Sequence, residues 1–175
     1  MCQATIRPAT ERLLPGGVPV VAAFEHEGAA KTLVHHLKYR GVAGLAELFA
    51  ETVEPRVPRL PLVPIPRAWS RRIKYGVDPA RAIAAALGRR LEVPIVDGLA
   101  SPLHSPRRAG RDHSRPVEPF RARLALRYSA IIVDDVVTTG ATAVAAVDAI
   151  GAEWVQMVVS ASVVSEPSTL GAQFD

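Results

Sequence analysis

Asp134, Asp135, Thr138, Thr139 and Thr142 crowd one short stretch, directly after the apolar run Ala130 to Val133 and around Gly140. Small hydroxyl residues at the start of a helix offer O–H donors, spare backbone N–H groups and the positive end of the helix dipole, all of which suit a phosphate dianion. Two adjacent carboxylates repel that anion. They must face hydrogen-bond donors or a cation, such as vicinal ribose hydroxyls or a hydrated Mg²⁺. An apolar strand ending in two acids and running into a Thr/Gly turn is therefore a site for a phosphorylated sugar. The competing use of such residues is helix capping, which needs one polar residue where this stretch supplies five. As loop groups, the two acids are not expected to belong to the core.

A second concentration of donors follows Pro61–Pro66, where Arg67, Arg71 and Arg72 lie on a Pro-rich turn. Each guanidinium carries five donors and cannot be deprotonated, which fits a second, more highly charged phosphate group. Solvating the turn is the simpler role, and the better one for Arg72. A third segment, Ser101 to Pro119, holds four prolines and four arginines (Arg107, Arg108, Arg111, Arg115) without periodicity. It exceeds the ~12 to 15 residues beyond which structureless connections are uncommon. It reads either as a mobile lid closing over a polyphosphate or as a solvated basic loop. Its His104 and His113 are the candidate movable acid/base groups, since His35 and His36 belong to a helix surface.

The elements that must position these groups alternate between strand and helix, the pattern of a mostly parallel α/β sheet. Val18–Phe24 reads as a first strand. Ala30, Leu33, Val34 and Leu37 recur at helical spacing, with Gly41 as the C-terminal cap. Leu45–Val53 continues as a helix ended by Pro55, and Leu60–Ile65 is a short strand. Asp78 caps a helix with Pro79 in its first position and Ile83, Leu87 and Leu91 on its buried face. Pro94–Val96 is another strand, Ala141–Ile150 a helix, and Trp154–Val164 a strand buried on both faces.

Composition bounds the function. A chain of 175 residues, 49% hydrophobic, is long enough for one domain (1–175) with a real core. No apolar stretch approaches the ~18 residues of a membrane span, and Met1 to Arg12 lacks the apolar centre of a signal peptide. The single cysteine, Cys2, excludes a disulfide framework and a cysteine-based zinc site, so a cytoplasmic location is expected. The net charge of +4 suits either a polyanionic small molecule or nucleic-acid backbone. Aromatic residues make up 5% and are scattered, which disfavours a base-stacking platform and makes nucleic acid the less favoured partner.

The run from Ala130 to Thr142 resembles the phosphoribosyl pyrophosphate (PRPP) motif of type I phosphoribosyltransferases. The resemblance implies an α/β fold of that type, with a central mostly parallel sheet flanked by helices and a small hood or flexible loop at 101–119. It implies that Asp134 and Asp135 lie beside the ribose 2′- and 3′-hydroxyls and meet Mg²⁺, directly or through water. Val136, Val137, Thr138, Thr139, Gly140, Ala141 and Thr142 would complete the PRPP site around the 5′-phosphate. Pro66, Arg67, Ala68 and Arg71 would bind the pyrophosphate, with Asp134, Asp135 and Arg67 as the catalytic residues. Phe24-Glu25-His26-Glu27-Gly28, Leu37-Lys38-Tyr39-Arg40-Gly41 and Val63-Pro64-Ile65-Pro66 are similar to landmarks of one branch, the competence protein F (ComF) family, over about Ala23 to Val164. Lys38 and Arg40 would then lie near the ligand.

The chain also departs from these patterns. The four-cysteine zinc module that usually begins ComF proteins has no counterpart beyond Cys2, and Tyr75-Gly76-Val77-Asp78-Pro79 replaces an Arg-Gly-Phe-Asn-Gln run. Purine-salvage relatives carry a further Asp in the turn as general base; here that position is Thr138, whose hydroxyl cannot abstract a proton at pH 7. The expectation is a Mg²⁺-dependent phosphoribosyltransferase that joins a 5-phosphoribosyl group to an unidentified nitrogen nucleophile and releases pyrophosphate. The alternatives are a non-catalytic PRPP or nucleotide sensor and a DNA-uptake accessory. No membrane partner is expected, and a dimer is plausible.

Overall fold

The computed structural model describes residues 6–68, 73, 76–100 and 120–164. Its centre is a five-stranded sheet in the order β1 (Arg12–Leu13), β2 (Pro19–Glu25), β7 (Val155–Val163), β6 (Ala130–Val137), β3 (Leu62–Pro64). The edge pair β1–β2 is antiparallel and the other three pairings are parallel. Ile95 adds a parallel bridge to Leu62 beyond β3, through Leu62 N–H to Pro94 O (3.0 Å) and Val96 N–H to Leu62 O (2.8 Å). The strand expected at Pro94–Val96 is thus one bridge long, because Pro94 has no N–H to pair and the tight turn closed by the Gly98 N–H on the Val96 carbonyl (2.8 Å) ends the run.

Strand pleating sorts the apolar residues onto two faces. Ile131 and Val133 pack with α1 (Gly28–Arg40), α2 (Ala43–Val53) and α3 (Pro79–Leu91), around Leu37, Phe49, Ile83 and Leu87. Ala130 and Ile132 pack on the other face with α4 (Ala141–Ile150) through Ala143, Ala146, Val147 and Ile150. Central strands covered on both sides must be apolar throughout, which is why β6 and β7 read as near-continuous hydrophobic runs. The caps follow local chemistry. Gly41 ends α1 at φ 61°, and Asp78 accepts from the Arg81 N–H (3.3 Å) at the start of α3, with Pro79 in its first turn.

Two features were not legible as elements. β1 is a two-residue edge strand, and β4 (Leu99–Ala100) pairs antiparallel with β5 (Arg121–Ala122) as a ribbon flanking residues 101–119. Leu99, Phe120 and Leu126 anchor that ribbon to the α4-side core.

The helices that follow β3 and β6 lie on opposite faces of the sheet. From β3 the chain leaves along the α3 face, while from the adjacent β6 it leaves along the α4 face. Adjacent parallel strands whose following helices lie on opposite faces open a crevice at their C-terminal ends, the usual ligand position in such sheets. In this chain those strand ends are Pro64 of β3 and Val137 of β6, followed by residues 65–68 and 138–140.

Candidate functional site

β6 does not stop at the acids. Val136 and Val137 continue the ladder opposite Ser162 and Val163 of β7, so Asp134 and Asp135 sit within the strand and the turn shrinks to Thr138–Gly140. Asp134 is only 7% exposed, which corrects the expectation that neither acid belongs to the core. Its register partner in β7 is Ser160, and Asp134, Ser160 and Ser162 are the buried polar residues among those described. Burial, and then the charge of Asp135, push the Asp134 carboxyl up to about 8, against the pull of the Asp135 N–H and Lys38. The Asp135 N–H donates to Asp134 Oδ1 at 2.7 Å. Asp135 is half-buried, with Lys38 Nζ 3.2 Å from its Oδ2.

Lys38 reaches β6 because of how α1 runs. The helix starts just after β2, yet its last turn meets β6 and the residues after β3. Three strand spacings of ~4.8 Å separate β2 from β3, and thirteen helical residues span ~20 Å, so α1 has the length to cross the C-terminal side of the sheet. Arg40, two residues on, is exposed.

The turn after the acids begins α4. Gly140 is its N-cap at φ 82°, and no side chain caps the helix. Thr138, Thr139 and Ala141 are exposed, Thr142 is half-buried, and the Thr139 hydroxyl accepts only a long bond from the Ala141 N–H (3.4 Å). The capping role that would have explained these threonines away is thus not the one they take. A β-carbon on Gly140 would stand 2.8 Å from Leu14 Cδ2. The glycine is needed for its left-handed backbone, and Leu14 of the N-terminal hairpin packs against it.

Arg67 is held differently from the free phosphate ligand read from the sequence. Its Nη1 donates to the carbonyls of Lys38 (3.0 Å) and Val77 (2.9 Å), and the guanidinium carbon lies 5.5 Å from the centre of the Tyr39 ring. Its backbone N–H donates to Asp78 Oδ2 (3.3 Å). One arginine therefore ties the end of α1 to the start of α3, beside the half-buried Pro66 and the buried Ala68. Arg71, Arg72, His104, His113 and the arginines of 101–119 lie outside the described residues.

Two groups were missed in the sequence. His26 follows β2, and its Nδ1 is 2.8 Å from Ser162 Oγ. Burial first, then Lys38 and Lys31, lower its pKa and favour the neutral ring, although Asp135 acts in the other sense. Arg12 donates from Nη1 to the carbonyls of Thr138 and, at 3.0 Å, Val164. His26 lies in the Phe24–Gly28 run, where no role was read for it, Arg12 lies outside every motif, and both meet the site only through long-range folding. Among the described residues no helix is long and apolar enough to cross a membrane. No family model and no curated protein matches the chain.

Proposed function

We propose that the chain binds PRPP in the crevice between β3 and β6, in the manner of type I phosphoribosyltransferases and most like the ComF branch. The observation that carries this reading is a coincidence of position. The paired acids and the Thr/Gly turn without a side-chain cap lie at the point where the helices change face. In this reading the 138–142 turn holds the 5′-phosphate, Asp134 and Asp135 accept from the ribose hydroxyls, and the pyrophosphate lies toward residues 66–68.

The donor set defines how Mg²⁺ would fit. Asp135 is paired with Lys38, and no group of three or more His, Cys, Asp or Glu converges among the described residues. The acids therefore suit a cation that arrives hydrated and bound to the ligand's phosphates, met through water by Asp134 and Asp135. When bound, Mg²⁺ would supply positive charge to the departing pyrophosphate. The protein's own part is to orient the ribose, fix the 5′-phosphate and exclude water, while a nitrogen nucleophile forms a bond to C1 as the C1–O bond to pyrophosphate breaks.

A sensor that binds PRPP without turnover is favoured by one observation: Arg67 Nη1 and Asp135 are already engaged by the chain's own groups. Titration calorimetry with PRPP and Mg²⁺ tests binding, and pyrophosphate release over a panel of nucleobases separates enzyme from sensor. Failure to bind PRPP with or without Mg²⁺ would sink both.

A further inference from the structure

The N-terminal hairpin approaches the 138–142 turn from far away in sequence. Arg12 Nη1 donates to the Thr138 carbonyl, 126 residues distant, and to the carbonyl of Val164 just past β7. Arg12 Nη2 lies 3.7 Å from where a β-carbon on Gly140 would stand, and Leu14 fills the space next to it. A trans peptide is planar, with its C=O and N–H pointing in opposite directions. Pinning the Thr138 carbonyl therefore also fixes the Thr139 N–H, which must point away from the guanidinium. Flipping that peptide would exchange the N–H for a carbonyl dipole at the same place, turning an attraction for an anion into a repulsion.

We infer that Arg12 is a positioning residue that locks the Thr138–Thr139 peptide with its N–H turned toward the bound phosphomonoester. The inference rests on the phosphoribosyl reading of the turn. No residue from Thr138 to Thr142 carries a charge, so the turn binds through backbone orientation, and its fidelity depends on what holds the peptides in place. Arg12 couples that orientation to the hairpin and to the end of β7, joining the first described strand to the ligand. A purely structural arginine would influence stability alone.

Calorimetry with ribose 5-phosphate and, separately, inorganic pyrophosphate distinguishes the two roles in the parent, Arg12→Met and Arg12→Lys. Met keeps the packing of the stem and removes the donors. It should weaken ribose 5-phosphate by about tenfold to a hundredfold, the loss associated with one charge-assisted hydrogen bond, and leave pyrophosphate within about twofold. Lys, able to hold one carbonyl, should recover most of that loss. In the parent, the Thr139 amide resonance should shift with ribose 5-phosphate and stay in place with ribose, a readout that survives even if Arg12→Met fails to fold. A parent that binds ribose 5-phosphate while Arg12→Met binds it equally, or while the Thr139 amide does not move, overturns the role of Arg12 alone. A parent that binds neither ribose 5-phosphate nor PRPP overturns the phosphoribosyl reading and this inference with it.

Discussion

A carboxyl group on a covered strand is disfavoured as an anion, and Asp134 meets that difficulty within 3 Å of the next residue's N–H and beside a second acid. Its folded pKa is raised, so between about pH 4 and pH 8 the folded chain binds more protons there than the unfolded chain. Stability contributed by this group is thus lost as pH rises through that window. Asp134→Asn should flatten the loss and leave the variant on the order of 2 kcal/mol more stable, relative to the parent, at pH 8 than at pH 5. Denaturant titrations at the two pH values check this; a parent as sensitive to pH as Asp134→Asn would refute the raised pKa. The same shift bears on binding, because ribose hydroxyls and a hydrated cation favour the ionised form. PRPP binding at pH 7 should release a proton, seen as a dependence of the calorimetric heat on buffer ionisation enthalpy. Changing Asp134 and Asp135 together to Asn should weaken PRPP by about 2 to 4 kcal/mol, charged hydrogen bonds being worth ~1.5 to 3 each with coupling between neighbours. Unchanged affinity in the double variant would remove the acids from the sugar site.

At the scale of elements, the turn and the α1–α3 tie carry separate predictions. Gly140 needs φ 82°, a conformation that costs a side-chain-bearing residue ~1 to 2 kcal/mol, whereas its clash with Leu14 involves the far end of a flexible side chain. Gly140→Val should abolish binding of ribose 5-phosphate and PRPP, and adding Leu14→Ala should not restore it. Restoration would show that contact, and not backbone conformation, dictates the glycine. Arg67→Ala should weaken PRPP and pyrophosphate more than ribose 5-phosphate, and should also destabilise the fold by about 1 to 2 kcal/mol, since Arg67 Nη1 bridges Lys38 and Val77. Equal losses for both ligands would leave only the structural role. Local composition made α1, α3, α4 and β6 legible, because period, caps and apolar runs are properties of neighbouring residues. It failed at the end of β6, where Val136 and Val137 looked like the start of a turn but pair with β7. It could not reveal that Lys38 meets Asp135 or that Arg12 meets Thr138, contacts made by chain crossings that no local pattern encodes.

For the whole molecule, the alternation of strands and helices was sufficient to read an α/β sheet, but not the strand order that makes the crevice between β3 and β6 the place where helices change face. That order depends on β7 inserting between β2 and β6, a long-range choice. The distribution of charge carries the last prediction. The net charge of +4 leaves room for nucleic-acid binding, yet Arg7, Arg59, Arg81, Arg89 and Arg90 each pair with a carboxylate, which lowers the positive field these residues offer a polyanion. DNA binding should therefore be weak, insensitive to sequence and gone by about 0.2 M salt, each neutralised phosphate contributing about −0.9 to the slope of log affinity against log salt. PRPP binding should outlast it, because ribose hydrogen bonds and a ligand-borne Mg²⁺ do not depend on releasing condensed counterions. Fluorescence anisotropy with a duplex and calorimetry with PRPP, both run from 0.05 to 0.3 M salt (about the range over which such contacts are lost), separate the two. Tight DNA binding at 0.2 M salt, weakened together with PRPP by Arg67→Ala, would mean that the positive surface and not the acid-and-turn crevice is the working part of the molecule.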